Sequence, residues 1–90
     1  ALDPELYIAY NSLGITLMDL DRFSQANTAF TAAQAIAPRS AEILNNLAYS
    51  FERMGQADKA VPYYEKALLS SPENATIKAN LDRARGRTGK

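Results

Sequence analysis

Residues 44–72 read LNNLAYSFERMGQADKAVPYYEKALLSSP, and this stretch decides the fold. Leu44, Leu47, Ala48 and Phe51 follow the i, i+3, i+4, i+7 spacing of one helix face. Ala60, Val61, Tyr64, Ala67 and Leu68 form a second such stripe. Met54-Gly55-Gln56 stands between them, and glycine ends helices in the left-handed conformation. The unit is a helical hairpin, and the rest of the chain repeats it or closes it off.

The repeat appears when the sequence is shifted against itself by 34 residues. Pro4, Pro38 and Pro72 then fall into line, as do Leu13 with Leu47, Ala26 with Ala60 and Ala33 with Ala67. One copy reads Tyr10, Leu13-Gly14, Leu17, Ala26, Phe30, Ala33, Pro38. The other reads Leu44, Leu47-Ala48, Phe51, Ala60, Tyr64, Ala67, Pro72. In these residues the chain resembles the tetratricopeptide repeat family, whose pattern runs aromatic, Leu-Gly, aromatic, then Ala, Phe and Pro. Leu17 and Leu44 depart from it by replacing aromatics, and Ala48 by replacing glycine. The resemblance implies an all-α fold, a right-handed α-solenoid of antiparallel helical hairpins. It comprises two repeats, at about 7–40 and 41–74, and a C-terminal capping helix at about 75–86, in one domain over 1–90. Residues 1–4 align with the end of a repeat and read as the remnant of a preceding one.

Ninety residues bury only roughly 60–70% of their unfolded surface, so stability is modest. Net charge is zero, which gives no overall pull toward nucleic acid or a membrane. Cysteine and histidine are both absent, which removes disulfides, thiolate metal sites, thiol nucleophiles and the commonest general base. No apolar run is long enough to span a bilayer, so membrane insertion is not expected. Compartment stays open between cytoplasm and periplasm.

In chain order, helices are expected at about 5–20, 23–37, 40–53, 57–70 and 73–85. Asp3 is the expected cap of the first and Ser40 of the third. Tyr10, Leu13, Gly14 and Leu17 form the inner stripe of the first helix, with Gly14 admitting close approach of its partner. Asp21 stands where the other copy has Gly55 and takes the left-handed turn. Pro62 removes one backbone hydrogen bond from the fourth helix without ending it. In the fifth, Ile77, Leu81 and Ala84 stay apolar, while Lys78, Asp82 and Arg85 occupy the sites that would face a sixth helix. That polar outer face marks a terminal cap, with a frayed tail from Gly86 to Lys90. Leu2, Leu6, Tyr7 and Ile8 are expected to be partly uncovered at the other end, where self-association would cover them.

The family resemblance implies protein–protein interaction through the concave face, lined by the first helix of each hairpin. The peptide-binding residues it assigns are Ile8, Asn11, Ile15, Asn45, Tyr49, Arg53, Asn80 and Arg83, with Glu42 and Glu52 beside them. Asn11 and Asn45 are identical across the copies; a side-chain amide can hold a peptide backbone, or simply be solvated. Ile15 and Tyr49 are the apolar anchors of the groove, one period apart. Arrays of this family that hold the acidic C-terminus of a chaperone use lysines here, and of the matching sites only Asn46 agrees. The partner is therefore a peptide or helix of another protein, held in a scaffold or adaptor role. The alternative is a structural, self-assembling fragment of a longer array, forming a homo-oligomer.

Lys78, Arg83, Arg85, Arg87 and Lys90 gather at the C-terminal end against Asp82 alone. Without an aromatic stacking platform they read as a solvated cap, and nucleic acid is not an expected partner. Gly86-Arg87-Thr88-Gly89-Lys90 lacks the spacing of a phosphate loop. No enzyme activity, metal or cofactor is expected.

Overall fold

A computed structural model describes residue 3 and residues 5–88. Among the described residues five helices follow one another: α1 (Leu6–Asp19), α2 (Phe23–Ile36), α3 (Ala41–Arg53), α4 (Ala57–Ser70) and α5 (Ala75–Thr88). Each packs on the next, and α3 also touches α1 and α5. The odd-numbered helices thus form one layer and the even-numbered ones the other, which is the solenoid of hairpins the repeat implies.

The two hairpin turns are built alike. Asp21 and Gly55 both have positive φ, 58° and 78°. The N–H of Arg22 reaches the Leu17 carbonyl at 2.8 Å, and that of Gln56 reaches Phe51 at 2.9 Å. Inside these, Asp21 donates to Met18 and Gly55 to Glu52. This is the Schellman closure, which satisfies the last carbonyls of a helix. Residue 21 carries it without glycine because aspartate tolerates the left-handed region better than most side chains do.

Helix starts also repeat. The Ser40 hydroxyl accepts from Ile43 N–H at 3.3 Å, and the Asn74 side chain accepts from Ile77 N–H at 3.0 Å. Asn74 is one period after Ser40, so α5 starts later than its expected position at Glu73. Asp3 does not cap α1 itself: Glu5 occupies that place, and the Asp3 carboxylate accepts the Glu5 N–H at 2.9 Å. Pro62 sits exposed inside an unbroken α4.

The core runs along the layer boundary. Leu44, Ala48, Ala60, Tyr64 and Ala67 meet Ile77, Leu81 and Ala84 of the cap. Ala26, Phe30 and Leu47 join the two hairpins, with Phe51 and Tyr63 stacked at 5.5 Å against them. A Cβ on buried Gly14 would lie 2.6 Å from Cδ1 of Phe30, so only glycine lets α1 and α2 come this close.

Two expectations change. Gly86 to Thr88 is not a frayed tail: α5 continues through it, because Arg87 reaches back to Glu52 at 3.1 Å. Leu13 belongs to the α1 stripe yet is 49% exposed, because it lies on the outer side of the first hairpin. Leu6 and Tyr7 are half-buried, as are Tyr10 and Leu17 beside Leu13, so the partly uncovered apolar surface runs on along α1 as far as Leu17. Ile8 is exposed as expected. The remnant over 1–4 (Asp3 apart), Leu2 and Lys90 lie outside the described residues.

Candidate functional site

The layer of α1, α3 and α5 is tied together by asparagines. The amide nitrogen of Asn46 donates to Oδ1 of Asn11 at 3.0 Å, and that of Asn80 donates to Oδ1 of Asn45 at 3.0 Å. Each bond spans 35 residues, so the second link is the first moved by one repeat. Asn11 in turn donates to Glu42 at 3.1 Å. The identity of Asn11 and Asn45 thus has a local cause: each offers its carbonyl oxygen to the next helix of the layer. Sequence reasoning weighed ligand binding against solvation and missed this third role, since the bond depends on helix spacing and rotamer.

Ile8, Asn11 and Ile15 lie at helical spacing on α1, and Asn45 and Tyr49 one turn apart on α3. Because Asn11 and Asn45 face the next helix of the layer, Ile15 and Tyr49 follow them onto the same side. Both are open to solvent, at 41% and 39%. The Arg83 guanidinium lies over the Tyr49 ring, 5.8 Å from its centroid, and donates to Asn80 at 3.0 Å. Asn45, Tyr49, Asn80 and Arg83 are therefore brought together, with Asn11 and Ile15 beside them. Arg53 is not part of this group: it stacks over Phe23 of the first hairpin at 4.8 Å.

Glu52 is corrected more strongly. Its side chain is fully buried between α3, α4 and α5 rather than presented to the groove. It accepts from the Tyr64 hydroxyl at 2.7 Å, from Nε and Nη2 of Arg83 at 3.0 and 2.7 Å, and from Arg87 at 3.1 Å. Burial pushes its carboxyl upward, but the bonds from Arg83 and Tyr64 and the charges of Arg83 and Arg87 outweigh this. The result lies below the ordinary 4.5. Burial and then the Glu52 carboxylate push the Tyr64 hydroxyl upward. The Glu52 bond holds Arg83 firmly protonated. One signal was legible: Tyr64 stands where the other copy has Phe30, and a buried hydroxyl needs an acceptor. Arg85 meanwhile pairs with Glu65 at 3.1 Å, so three of the C-terminal cations already face carboxylates.

Among the described residues no group of three or more acidic side chains could hold a metal, and no helix is long and apolar enough to cross a membrane.

Paired helices stacked in two layers, with side chains linked from repeat to repeat, define a helical-repeat solenoid. Residues 41–74 match the family model of the tetratricopeptide repeat. Among solved structures the chain is similar to the TPR domain of Sgt2 from Aspergillus fumigatus, with a TM-score of 0.88 at 30% identity. The match covers 98% of this chain and 58% of that one, so the chain spans somewhat over half of the length of that relative. A search of the curated proteins gives no match. Residues 41–74 thus carry a tetratricopeptide repeat, the chain as a whole has the fold of a tetratricopeptide repeat domain, and both support a general protein–protein interaction module.

Proposed function

We propose that the α1–α3–α5 layer binds an extended or helical segment of a partner protein, in an adaptor or scaffold role. The observation that carries this is the exposure of Ile15 and Tyr49 at equivalent places, beside a row of ordered amides. Apolar anchors flanked by fixed hydrogen-bonding groups suit a peptide or helix laid into a groove. Asn45 spends its carbonyl oxygen on Asn80, and its N–H groups remain suited to a ligand carbonyl. Ile8, Asn11, Asn80 and Arg83 complete the surface, with Arg53 beside it only as a support through Phe23.

The Arg83 charge is partly matched by Glu52, a carboxylate that Arg87 shares. A ligand anchored by apolar side chains suits the groove better than an acidic tail. The pairing of Arg83, Arg85 and Arg87 with carboxylates likewise favours a protein partner over nucleic acid. The reading assigns the chain no catalysis and no cofactor.

The test is affinity capture from an extract, with wild type beside Ile15→Ser/Tyr49→Ser. Both positions are exposed, so the variant keeps its helicity. Loss of a captured protein in the variant supports the groove. An unchanged set of captured proteins refutes it.

A further inference from the structure

The two hairpins meet in a crevice on the α2–α4 side of the solenoid. It is open, with a volume of about 470 Å³. Gln34 of α2 and Arg39 of the following loop line one side, and Lys66, Leu69 and Ser70 of α4 line the other. Buried Leu44 lies at its floor. Two positive charges stand in it without a counter-ion. Among the described residues neither Arg39 nor Lys66 meets a carboxylate, the ion pairs being those of Arg83, Arg85 and Arg87. The acids nearest in sequence are held elsewhere. Glu42, the next acid after Arg39, accepts from Asn11 at 3.1 Å, and Glu65, beside Lys66, pairs with Arg85 at 3.1 Å. The α2 wall carries no charged residue. The Lys66 ammonium lies 5.2 Å from the Tyr63 ring centroid, a contact that orders it without cancelling its charge. The C-terminal turns of α2 and α4 bring only about half a negative charge each, so the balance stays positive. Leu69, between the charges and solvent, is 83% exposed.

We propose that this crevice binds an acidic segment of a protein partner, in which carboxylate side chains flank an apolar one. The Arg39 guanidinium offers a carboxylate a two-pronged hydrogen-bonding edge, and Lys66 supplies a second, compact charge. The apolar side chain covers Leu69, and the Gln34 amide and Ser70 hydroxyl suit the segment's backbone. A peptide fits better than a nucleic acid, because Leu69 calls for an apolar cover and no lining residue is aromatic, so bases have nothing to stack on. This contact is separate from the α1–α3–α5 groove and does not depend on it.

The test is an NMR titration of the isotope-labelled whole chain with a short capped peptide in which glutamates flank a leucine, and with its glutamine counterpart. The charges are exposed, so the dissociation constant is expected on the order of 1 mM. The amides of Arg39, Lys66 and Leu69 should shift with the glutamate peptide and stay in place with the glutamine one. Arg39→Gln and Lys66→Gln should each weaken binding about threefold, and together about tenfold. Raising salt from about 50 to about 300 mM should weaken it as well. Both side chains are exposed, so the variants keep the fold, which circular dichroism checks. The groove variant Ile15→Ser/Tyr49→Ser should bind the peptide as the wild type does, which tells failure of the groove from failure of the crevice. Absence of binding up to about 5 mM peptide, equal binding of the glutamine peptide, or binding that survives the double substitution overturns the proposal. So does tighter binding of inorganic phosphate or of a thymidine oligonucleotide, which would make the crevice a phosphate site.

Discussion

Replacing Glu52 with glutamine should loosen the C-terminal end of the solenoid. The carboxylate has no exposed side-chain surface and accepts four hydrogen bonds, from Tyr64, Arg83 twice, and Arg87. Glutamine keeps the shape and one oxygen but turns the other into an NH₂ group facing guanidinium donors. Hydrogen bonds to charged groups contribute about 1.5–3 kcal/mol each, and breaking a fully buried pair costs about 3–5 kcal/mol. Here the two arginine heads keep 39% and 55% of their exposure, so water recovers part of the loss. The expected net loss is about 2–3 kcal/mol, a large share of the roughly 5–13 kcal/mol available to a chain of this length. With a urea m-value of about 1 kcal/mol/M, the midpoint falls by about 2 M at unchanged m. Far-UV circular dichroism follows the transition, with Glu65→Gln as the control. Its pair with Arg85 is about half exposed on both sides, so its loss should stay within about 0.5 kcal/mol. Equal losses for the two variants, or a Glu52→Gln loss below about 0.5 kcal/mol, would refute the reasoning.

The same carboxylate sets a pH dependence. Its folded-state pKa lies below 4.5, so the folded protein binds this proton less readily than the unfolded chain does. The stabilisation is fully present above the unfolded value and disappears as pH falls through the depressed folded one. Wild type should therefore lose stability below about pH 4.5 more steeply than Glu52→Gln does, measured by urea midpoints across that range. Gly14→Ala should destabilise by about 1–3 kcal/mol through its clash with Phe30, despite alanine's better helix propensity. Adding Phe30→Leu should then cost less than it does in the wild type, and a double-mutant cycle with no coupling would contradict the contact. Ser40→Ala and Asn74→Ala should each lower stability by about 1 kcal/mol by removing a cap, read from thermal melts. Asn80→Ala should lose about 1 kcal/mol by breaking the link to Asn45, a loss absent if the amides are merely solvated.

The hairpins, their order and the polar cap were legible because they rest on periodicity and on single-residue backbone preferences. Gly55 and Asp21 mark their turns wherever they stand, and Lys78, Asp82 and Arg85 are exposed on α5 as their charges require. The exposure of Leu13 was not legible, since its stripe is the same as that of Leu47 and only the presence of a covering helix separates them. The proposed groove residues come from the family resemblance and from phase along the helix, and Ile15 and Tyr49 are exposed as that phase requires. Phase alone also placed Glu52 there. It lies near the boundary of the face, and the hydroxyl of Tyr64 and the cations of α5 draw it inward. Such a contact joins three helices, and its geometry exists only once they are packed.

Because one carboxylate fastens α3, α4 and α5 together, the solenoid is mechanically lopsided. In a stack where each element leans mainly on its neighbours, stability is a chain of local couplings and fraying starts where they are weakest. On the Leu6–Asp19 side the helix is held chiefly by α2 and keeps an open flank, so thermal fluctuation peels it first. The Ala75–Thr88 side carries an ionic rivet and resists. Tension applied to both ends would unwind the molecule in one direction, from first helix to last, and amide protons would exchange in the same order.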